Sequence, residues 1–443
     1  MRRGLAAEGP IMPKALRAVL PVLLAAIVFA PALRAAASSA PSGEGSDLRL
    51  VIVLGRHGVR APIGSEIRDN AYNADPWPQW PVAPGVLTAH GATLLRYMGA
   101  YYRQAYRGLL GDSSVCAPEA FYIAANNAQR TLATAQAIAE GLAPGCALDI
   151  HSHPKGEADP LFNPGAFVAH QDRALAAAAI SGRLGGHPEW WPHSYQRSLE
   201  ELEQILSAGR PPAPGKKSLL DAPQTAPSTM GGDLFAMQTP VSAGADFAEH
   251  FLLQYTEGMP MSQVGWGRVS RPVLDDLMGM NTRYHDFVLR TPYLAQVGAS
   301  HLADHIDRTL RQAAAGQPVD GALGSPAEKF VFLSGHDSNE TWLGGLLRLN
   351  WLLPDQPFDA TPPGSALVFE LHQPPHAEPY VRAYFISATL DQMRNAVPLT
   401  EAQPPSVAPI FIPGCSRAEP GYPCPLSGFH RMVGQAIDPA FTK

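Results

Sequence analysis

Short apolar runs alternate with longer amphipathic segments along this chain. Residues 48–54 are mostly apolar, and residues 330–333 are entirely so; a glycine follows each run within two residues. Runs of this length, bounded by glycine, are typical of strands buried on both faces of a sheet. Between them, apolar side chains recur at helical spacing after Thr88, at Leu94, Leu95, Met98, Tyr102 and Tyr106. The pattern therefore predicts an α/β protein.

The remaining elements support that prediction. Helical spacing predicts further helices at residues 130–140, closed by Gly141, and at about 302–315. Residues 121–124 predict another short strand. Residues 366–372 and 380–387 predict two strands that could form an antiparallel pair. The predicted sheet is therefore mixed, with helices on its faces.

The composition and the hydrophobic pattern of the chain change between about residues 165 and 290. Alanine- and leucine-rich helical segments occupy residues 173–180, 199–206 and 245–255, a Pro/Ser/Gly-rich connection lies at 208–232, and no clear strand alternation occurs. We interpret this region as an α-helical cap inserted into an α/β domain formed by residues 41–164 and 291–443. Two domains also suit the length, because one hydrophobic core rarely grows to about 400 residues.

The first 40 residues predict a secretory signal peptide. Arg2, Arg3, Lys14 and Arg17 precede an apolar stretch at 19–30, and small residues at 35–40 offer cleavage sites. The stretch is short for a membrane span, although an uncleaved anchor is the alternative. We expect a periplasmic or secreted protein without membrane attachment after cleavage.

Charge limits the possible partners. Without the predicted signal peptide the chain has 28 basic and 38 acidic residues. This balance gives no support to nucleic-acid binding, which needs a basic surface.

The four cysteines agree with export, and they allow three pairings. We expect local pairs, Cys116 with Cys146 and Cys415 with Cys424, rather than reduced thiols. No C-x-x-C motif or cysteine/histidine cluster suggests a zinc site, and we expect no metal or other cofactor.

The most informative chemistry follows the first predicted strand, where residues 56–62 read RHGVRAP. Arg56 and Arg60 supply guanidinium donors that match a phosphate dianion. Their charge also favours the neutral, nucleophilic form of His57. The alternative is a basic cluster that only pairs with carboxylates.

A second motif follows the later strand, where His336 and Asp337 lie in the segment SGHDSN. The two motifs can meet only if both strands lie in one sheet with their carboxyl ends together. Open α/β sheets bind their ligands at that edge. The pair of motifs is therefore far more specific than either motif alone.

Both motifs resemble those of the histidine acid phosphatase family, the larger branch of the histidine phosphatases. The resemblance covers nearly all of the chain after the leader, including residues 125–131, 159–164, 257–267 and 415–425. It is strongest to bacterial periplasmic glucose-1-phosphatases and phytases. It implies a phosphoglycerate-mutase-like α/β domain with helices on both faces and a helical cap, and it favours the same cysteine pairs.

The resemblance also implies roles for individual residues. His57 corresponds to the nucleophile that becomes phosphohistidine, and Asp337 to the proton donor for the leaving alcohol. Arg56, Arg60, Arg130 and His336 correspond to the groups that hold the phosphate. We expect the negative charge of bound phosphate to raise the pKa of Asp337, which gives an acidic pH optimum.

The sequence indicates the type of reaction more clearly than the substrate. The phytases often place a lysine shortly after the first motif, whereas Ile63, Gly64 and Ser65 stand here. Gly58, in contrast, matches the phytase form of that motif. We therefore expect sugar phosphates such as glucose 1-phosphate, or a broad range of monoesters, with phytase action as the alternative. A phosphate-binding protein without turnover, or a phosphoglycerate mutase, fits less well. The sequence does not indicate an oligomeric state.

Overall fold

A mixed eight-stranded sheet forms the centre of the protein. The computed structural model describes residues 47–63, 71–111, 116–163, 169–225 and 237–442. The predicted signal peptide lies outside the described residues. The strands are β1 (Leu48–Arg56), β2 (Phe121–Ala125), β3 (Ile150–His151), β4 (Phe330–Gly335), β5 (Ala366–His372), β6 (Tyr380–Ser387), β7 (Ser406–Ile410) and β8 (Cys424–Pro425).

The sheet order is β3-β2-β4-β1-β5-β6-β7, and β8 pairs with β6. The strands from β3 to β1 run parallel, whereas those from β1 to β7 pair antiparallel. The predicted pair at residues 366–387 is therefore an antiparallel hairpin inside the same sheet. The mixed α/β fold that the sequence predicts is confirmed.

Helices cover the sheet and form the cap. They are α1 (Ala89–Ala105), α2 (Arg107–Leu110), α3 (Gln129–Leu142), α4 (Arg173–Arg183), α5 (Gln196–Ser207), α6 (Pro240–Thr256), α7 (Arg271–Leu289), α8 (Pro292–Ala315), α9 (Asp337–Leu347), α10 (Leu390–Arg394) and α11 (Leu426–Ala436). Short 3₁₀ turns occur at Pro118–Ala120, Pro188–Tyr195, Leu219–Asp221, Val264–Gly267 and Pro439–Phe441.

The alternation of side chains in β1 explains why both faces of the sheet are covered. Leu50, Ile52 and Leu54 pack with residues of α8, α9 and α11 in one hydrophobic cluster. Val51 and Val53 point to the opposite face and pack with α1 and α3 in another cluster. Because every second residue must be covered on each face, the strand reads as a continuous apolar run.

A third hydrophobic cluster contains residues of the four helices α4, α5, α6 and α7. Within the described parts of residues 165–290, the structure contains helices and no strands. Tyr72, Leu390 and Met393 from outside this region also enter the cluster, so the helical region packs against other parts of the chain. The domain boundaries at residues 164 and 290 stay a prediction.

The structure contains the disulfides Cys116–Cys146 and Cys415–Cys424, the same local pairs as expected. No helix among the described residues is long and apolar enough to span a membrane. The sequence analysis did not predict α7, α9, α11 or β7. The element α7 is half-exposed and rich in polar residues, which weakens its periodicity as a helix.

Candidate active site

The two motifs meet at the carboxyl ends of neighbouring strands. In the parallel pair β1–β4, Arg56 lies opposite Gly335. The His57 amide donates a hydrogen bond to the Gly335 carbonyl over 3.0 Å. On the other side of β4, the Asn126 amide donates to the Ser334 carbonyl over 3.0 Å. Three strand ends therefore bring together segments that are far apart in the chain.

His57 is almost completely buried at this edge, with 2% of its surface exposed. Its Nδ1 lies 2.9 Å from the carbonyl oxygen of Gly58. A carbonyl oxygen only accepts, so Nδ1 carries the proton and Nε2 holds the lone pair of the neutral ring. Burial lowers the pKa of His57, and the charges of Arg60 and Arg56 lower it further. The ring is therefore a neutral base with Nε2 as its nucleophilic atom.

Arg56 connects the sheet to the cap. Its guanidinium forms a buried ion pair with Glu249 of α6, lies 3.2 Å from an oxygen of Asp337, and donates to the Thr361 carbonyl. These contacts fix the guanidinium at the base of the site. Burial opposes the charge, but the carboxylates outweigh it, so the pKa of Arg56 is raised above its ordinary value.

Two further arginines surround His57. Arg60 is 5% exposed and donates to the Ala61 carbonyl over 3.2 Å. Arg130 lies in the first turn of α3, and its Nη2 is 3.4 Å from Nδ1 of His336. Both lower the pKa of His57 through their charge. The site therefore concentrates positive charge in a chain whose overall charge is negative.

His336 caps the N-terminus of α9, and its ring centroid lies 5.5 Å from that of His57. Its Nε2 is 3.0 Å from the side-chain oxygen of Asn126, which fixes the proton on Nε2 and leaves Nδ1 to accept from Arg130. Burial, followed by the charge of Arg130, lowers the pKa of His336 to about 4. His336 is therefore a neutral hydrogen-bond donor.

Asp337 begins α9 beside Arg56, and about a quarter of its side chain is exposed. One carboxylate oxygen accepts from the Ser338 amide over 2.7 Å. Burial acts to raise its pKa, but the charge of Arg56, followed by that of His285, outweighs burial and lowers the pKa. Asp337 is therefore ionised in the free protein. The higher pKa expected from the sequence depends on the charge of a bound phosphate.

The sequence analysis missed two buried carboxylates of the site, Glu249 and Glu340. Glu340 accepts from the Arg56 amide over 3.0 Å and from the Ser365 hydroxyl over 2.9 Å. Burial raises its pKa to about 8, so it is protonated at acidic pH. Its position in SGHDSNE, four residues after His336, was the available signal. Glu249 had none, because it reaches Arg56 from α6, which is far away in the sequence.

An aromatic cluster is built around Trp77. The Trp77 ring stacks on His250 with centroids 3.9 Å apart, and Trp266 lies 4.4 Å from Trp77. Burial, with the charge of Arg60, lowers the pKa of His250 to about 3. Trp77, Trp80 and Trp266 also pack against the cap cluster. The contacts of the three tryptophans are therefore packing contacts.

The geometry combines a neutral imidazole, three guanidiniums, a second imidazole and an ionised carboxylate. Such a set can bind a phosphate dianion and supply both a nucleophile and a proton donor. Among the described residues, no group of three or more histidine, cysteine or acidic side chains is arranged to hold a metal ion.

Sequence comparison identifies relatives over nearly the whole chain. Residues 47–386 match the model of the histidine phosphatase superfamily (branch 2). Phytase AppA of Escherichia coli is 34% identical over 89% of this chain and 93% of its own. A glucose-1-phosphatase of Salmonella typhimurium is 31% identical over 94% of this chain and 98% of its own.

Comparison with solved structures leads to the same family. A Hafnia alvei phytase in complex with tartrate superimposes with a TM-score of 0.81 at 34% identity, covering 89% of this chain and 98% of that chain. A phytase from Citrobacter braakii gives 0.80 at 32% identity over 89% and 99%. This chain therefore belongs to branch 2 of the histidine phosphatase superfamily and is a phosphoric monoester hydrolase.

Proposed function

We propose that this protein is an acid phosphatase that transfers the phosphoryl group of a monoester to Nε2 of His57. The observation that carries the proposal is the hydrogen bond from His57 Nδ1 to the Gly58 carbonyl. It orients the ring and leaves the lone pair on Nε2, in a buried site that three arginines share. A basic cluster that only pairs with carboxylates would need no such ring.

In the first step, a bond forms between Nε2 and phosphorus as the bond to the ester oxygen breaks. Arg56, Arg60, Arg130 and His336 stabilise the charge on the equatorial oxygens. Asp337 gives a proton to the departing alkoxide. In the second step, water attacks the phosphohistidine, Asp337 takes its proton, and inorganic phosphate leaves.

The state of Asp337 links this mechanism to acidic pH. Arg56 holds its carboxylate ionised in the free protein. A bound phosphate dianion shares the charge of Arg56 and adds negative charge beside Asp337, and both effects raise the pKa. Protonation of Asp337 therefore accompanies substrate binding and is more complete at low pH.

A sugar phosphate, or a broad range of monoesters, is the proposed substrate class. A substrate with six phosphates needs more cations than the three arginines, and Ile63 stands where phytases often follow the motif with lysine. Phytase action is the second candidate, because phytases are among the most similar relatives. We place the protein in the periplasm or outside the cell.

Phosphate release at about pH 4.5 with EDTA present tests both proposals. We expect release from glucose 1-phosphate and p-nitrophenyl phosphate to exceed release from inositol hexakisphosphate. The reverse ranking supports the phytase candidate. Acid-labile labelling of His57 during turnover, absent in His57→Ala, tests the intermediate. Binding of phosphate compounds without any hydrolysis contradicts the proposal and indicates a binding protein.

A further inference from the structure

Two histidines of α8 form a pair outside the active site. His301 and His305 are four residues apart, so they lie on the same face of the helix, one turn from each other. Their Nε2 atoms are 3.0 Å apart, and the rings meet edge to face with centroids 4.4 Å apart. Both side chains are half-buried and keep contact with solvent.

The tautomer of His305 is fixed by the loop that follows α8. Its Nδ1 hydrogen bonds to the carbonyl oxygen of Gly321. Because a carbonyl only accepts, Nδ1 carries the proton, and the lone pair of Nε2 points toward His301. Metal-binding histidines in proteins are oriented in this way, by a carbonyl or carboxylate on the nitrogen that does not bind the metal.

The charges around the pair are compatible with a bound cation. Burial lowers the pKa of His301 to about 4 and also lowers that of His305. Both rings are therefore neutral at neutral pH. Asp304 lies between them in sequence, and its negative charge acts on both rings. Arg308 opposes a cation at His305, but it is engaged by Asp304 over 2.7 Å and by the Asp320 carbonyl over 2.8 Å.

The separation of the two nitrogens matches the bite of a metal ion. Metal–imidazole bonds of about 2.0–2.1 Å at a right angle place the nitrogens about 2.8–3.0 Å apart, whereas a tetrahedral angle requires about 3.3–3.4 Å. The separation in α8 is 3.0 Å. Ions with right-angled coordination by nitrogen ligands, Cu²⁺ and Ni²⁺, therefore fit better than tetrahedral Zn²⁺.

We propose that His301 and His305 form a two-histidine site for Cu²⁺ or Ni²⁺, with water in the remaining positions. In the metal-free protein His301 donates from Nε2 to His305. On binding, that proton moves to Nδ1 of His301, so that the Nε2 lone pairs of both neutral rings can bind the ion. The ion then bridges two turns of α8 and stabilises the helix together with the loop at Gly321.

Copper titration of the tag-free, EDTA-treated protein tests the proposal. We expect calorimetry to detect a Cu²⁺ site that weakens by at least about tenfold in His301→Gln and in His305→Gln. His193→Gln, which changes an exposed histidine elsewhere, is the matched control and keeps the site. Equal stoichiometry and affinity in all four proteins would overturn the proposal.

Two further measurements separate binding from folding. Melting curves in EDTA establish whether each variant is folded, and only the wild type and the control should gain stability on addition of Ni²⁺. Electron paramagnetic resonance of wild type with one equivalent of Cu²⁺ should show coupling to two imidazole nitrogens. Coupling that persists unchanged in folded His305→Gln locates the copper elsewhere and contradicts the proposal.

Discussion

The protein contains two close histidine pairs that differ mainly in the charges around them. His57 and His336 lie with ring centroids 5.5 Å apart, and His301 and His305 with centroids 4.4 Å apart. Burial is the largest cause of the lowered pKa in all four rings. Burial alone therefore gives neutral imidazoles but does not select a ligand.

The neighbouring charges make that selection. Around His57 the next largest effects on the pKa come from Arg60 and Arg56. Around His301 and His305 an aspartate, Asp304, acts on both rings. Guanidiniums beside a neutral imidazole favour an anion, whereas a carboxylate favours a cation. A neutral histidine can therefore serve an anion in one setting and a cation in another.

The two histidine pairs should differ most in their effect on phosphatase activity. His57→Ala removes the proposed nucleophile, and we expect phosphate release to fall by about 10⁴-fold or more. His305→Ala should retain the activity, because the α8 pair is outside the active site. Steady-state assays with EDTA at acidic pH measure both. Substantial turnover in His57→Ala contradicts the phosphohistidine mechanism.

Replacement of Asp337, the proposed proton donor, should cause the next largest loss of activity. In Asp337→Asn, release from glucose 1-phosphate should fall by about 10²–10⁴-fold, because its alkoxide cannot leave without a proton. Release from p-nitrophenyl phosphate should fall much less, since nitrophenolate is a good leaving group. Ser338→Ala, at the neighbouring position, is the control. Equal losses for the two substrates would assign Asp337 a role in binding only.

Both histidine pairs should lower the stability of the folded protein at acidic pH. The pKa values of His336 and His301 lie at about 4 in the folded protein, below the ordinary value of about 6.5. Unfolded chains therefore bind more protons between pH 6.5 and 4, and stability falls as the pH drops through this window. We expect a loss of about 3 kcal/mol from His336 and less from the more solvated His301. Urea unfolding of His336→Gln and His301→Gln should show a smaller acid loss than wild type; an unchanged pH dependence would contradict the buried neutral rings.

Removal of one cation should weaken phosphate binding. Arg130→Met removes a charged hydrogen-bond donor, so we expect KM to rise by about 10- to 100-fold. The pKa of His336 should also rise, because Arg130 lowers it. NMR titration measures that shift, and His301 provides the internal reference that should not move.

The smallest expected effect is on Cu²⁺ affinity, from replacement of Asp304 beside His301 and His305. Asp304→Asn removes a charge near both rings, and we expect Cu²⁺ affinity to fall by about two- to fivefold. Glu328→Gln changes a carboxylate that instead pairs with the backbone of its own loop and should leave the affinity unchanged. Unchanged or stronger binding in Asp304→Asn would contradict this role of the carboxylate, because loss of Asp304 and release of Arg308 should both disfavour a cation.

Much of the fold and site followed from local patterns. Buried strands at residues 48–54 and 330–333 read as apolar runs because helices cover both faces. The motifs after them had to meet, because β1 and β4 are parallel neighbours. In contrast, α7 and β7 were missed, since half-exposed or short elements carry weak periodicity.

The fold class, the family and the two motifs for which catalytic roles are proposed could all be read from the sequence alone. Tertiary structure decided which groups surround them. Glu249 reaches Arg56 from the cap, and Glu340 is protonated because it is buried against the Arg56 backbone. The tautomers of His57 and His305 depend on carbonyl groups whose positions follow from folding. Motifs record side-chain identity, whereas protonation and ligand choice depend on burial and on charges that only packing brings together.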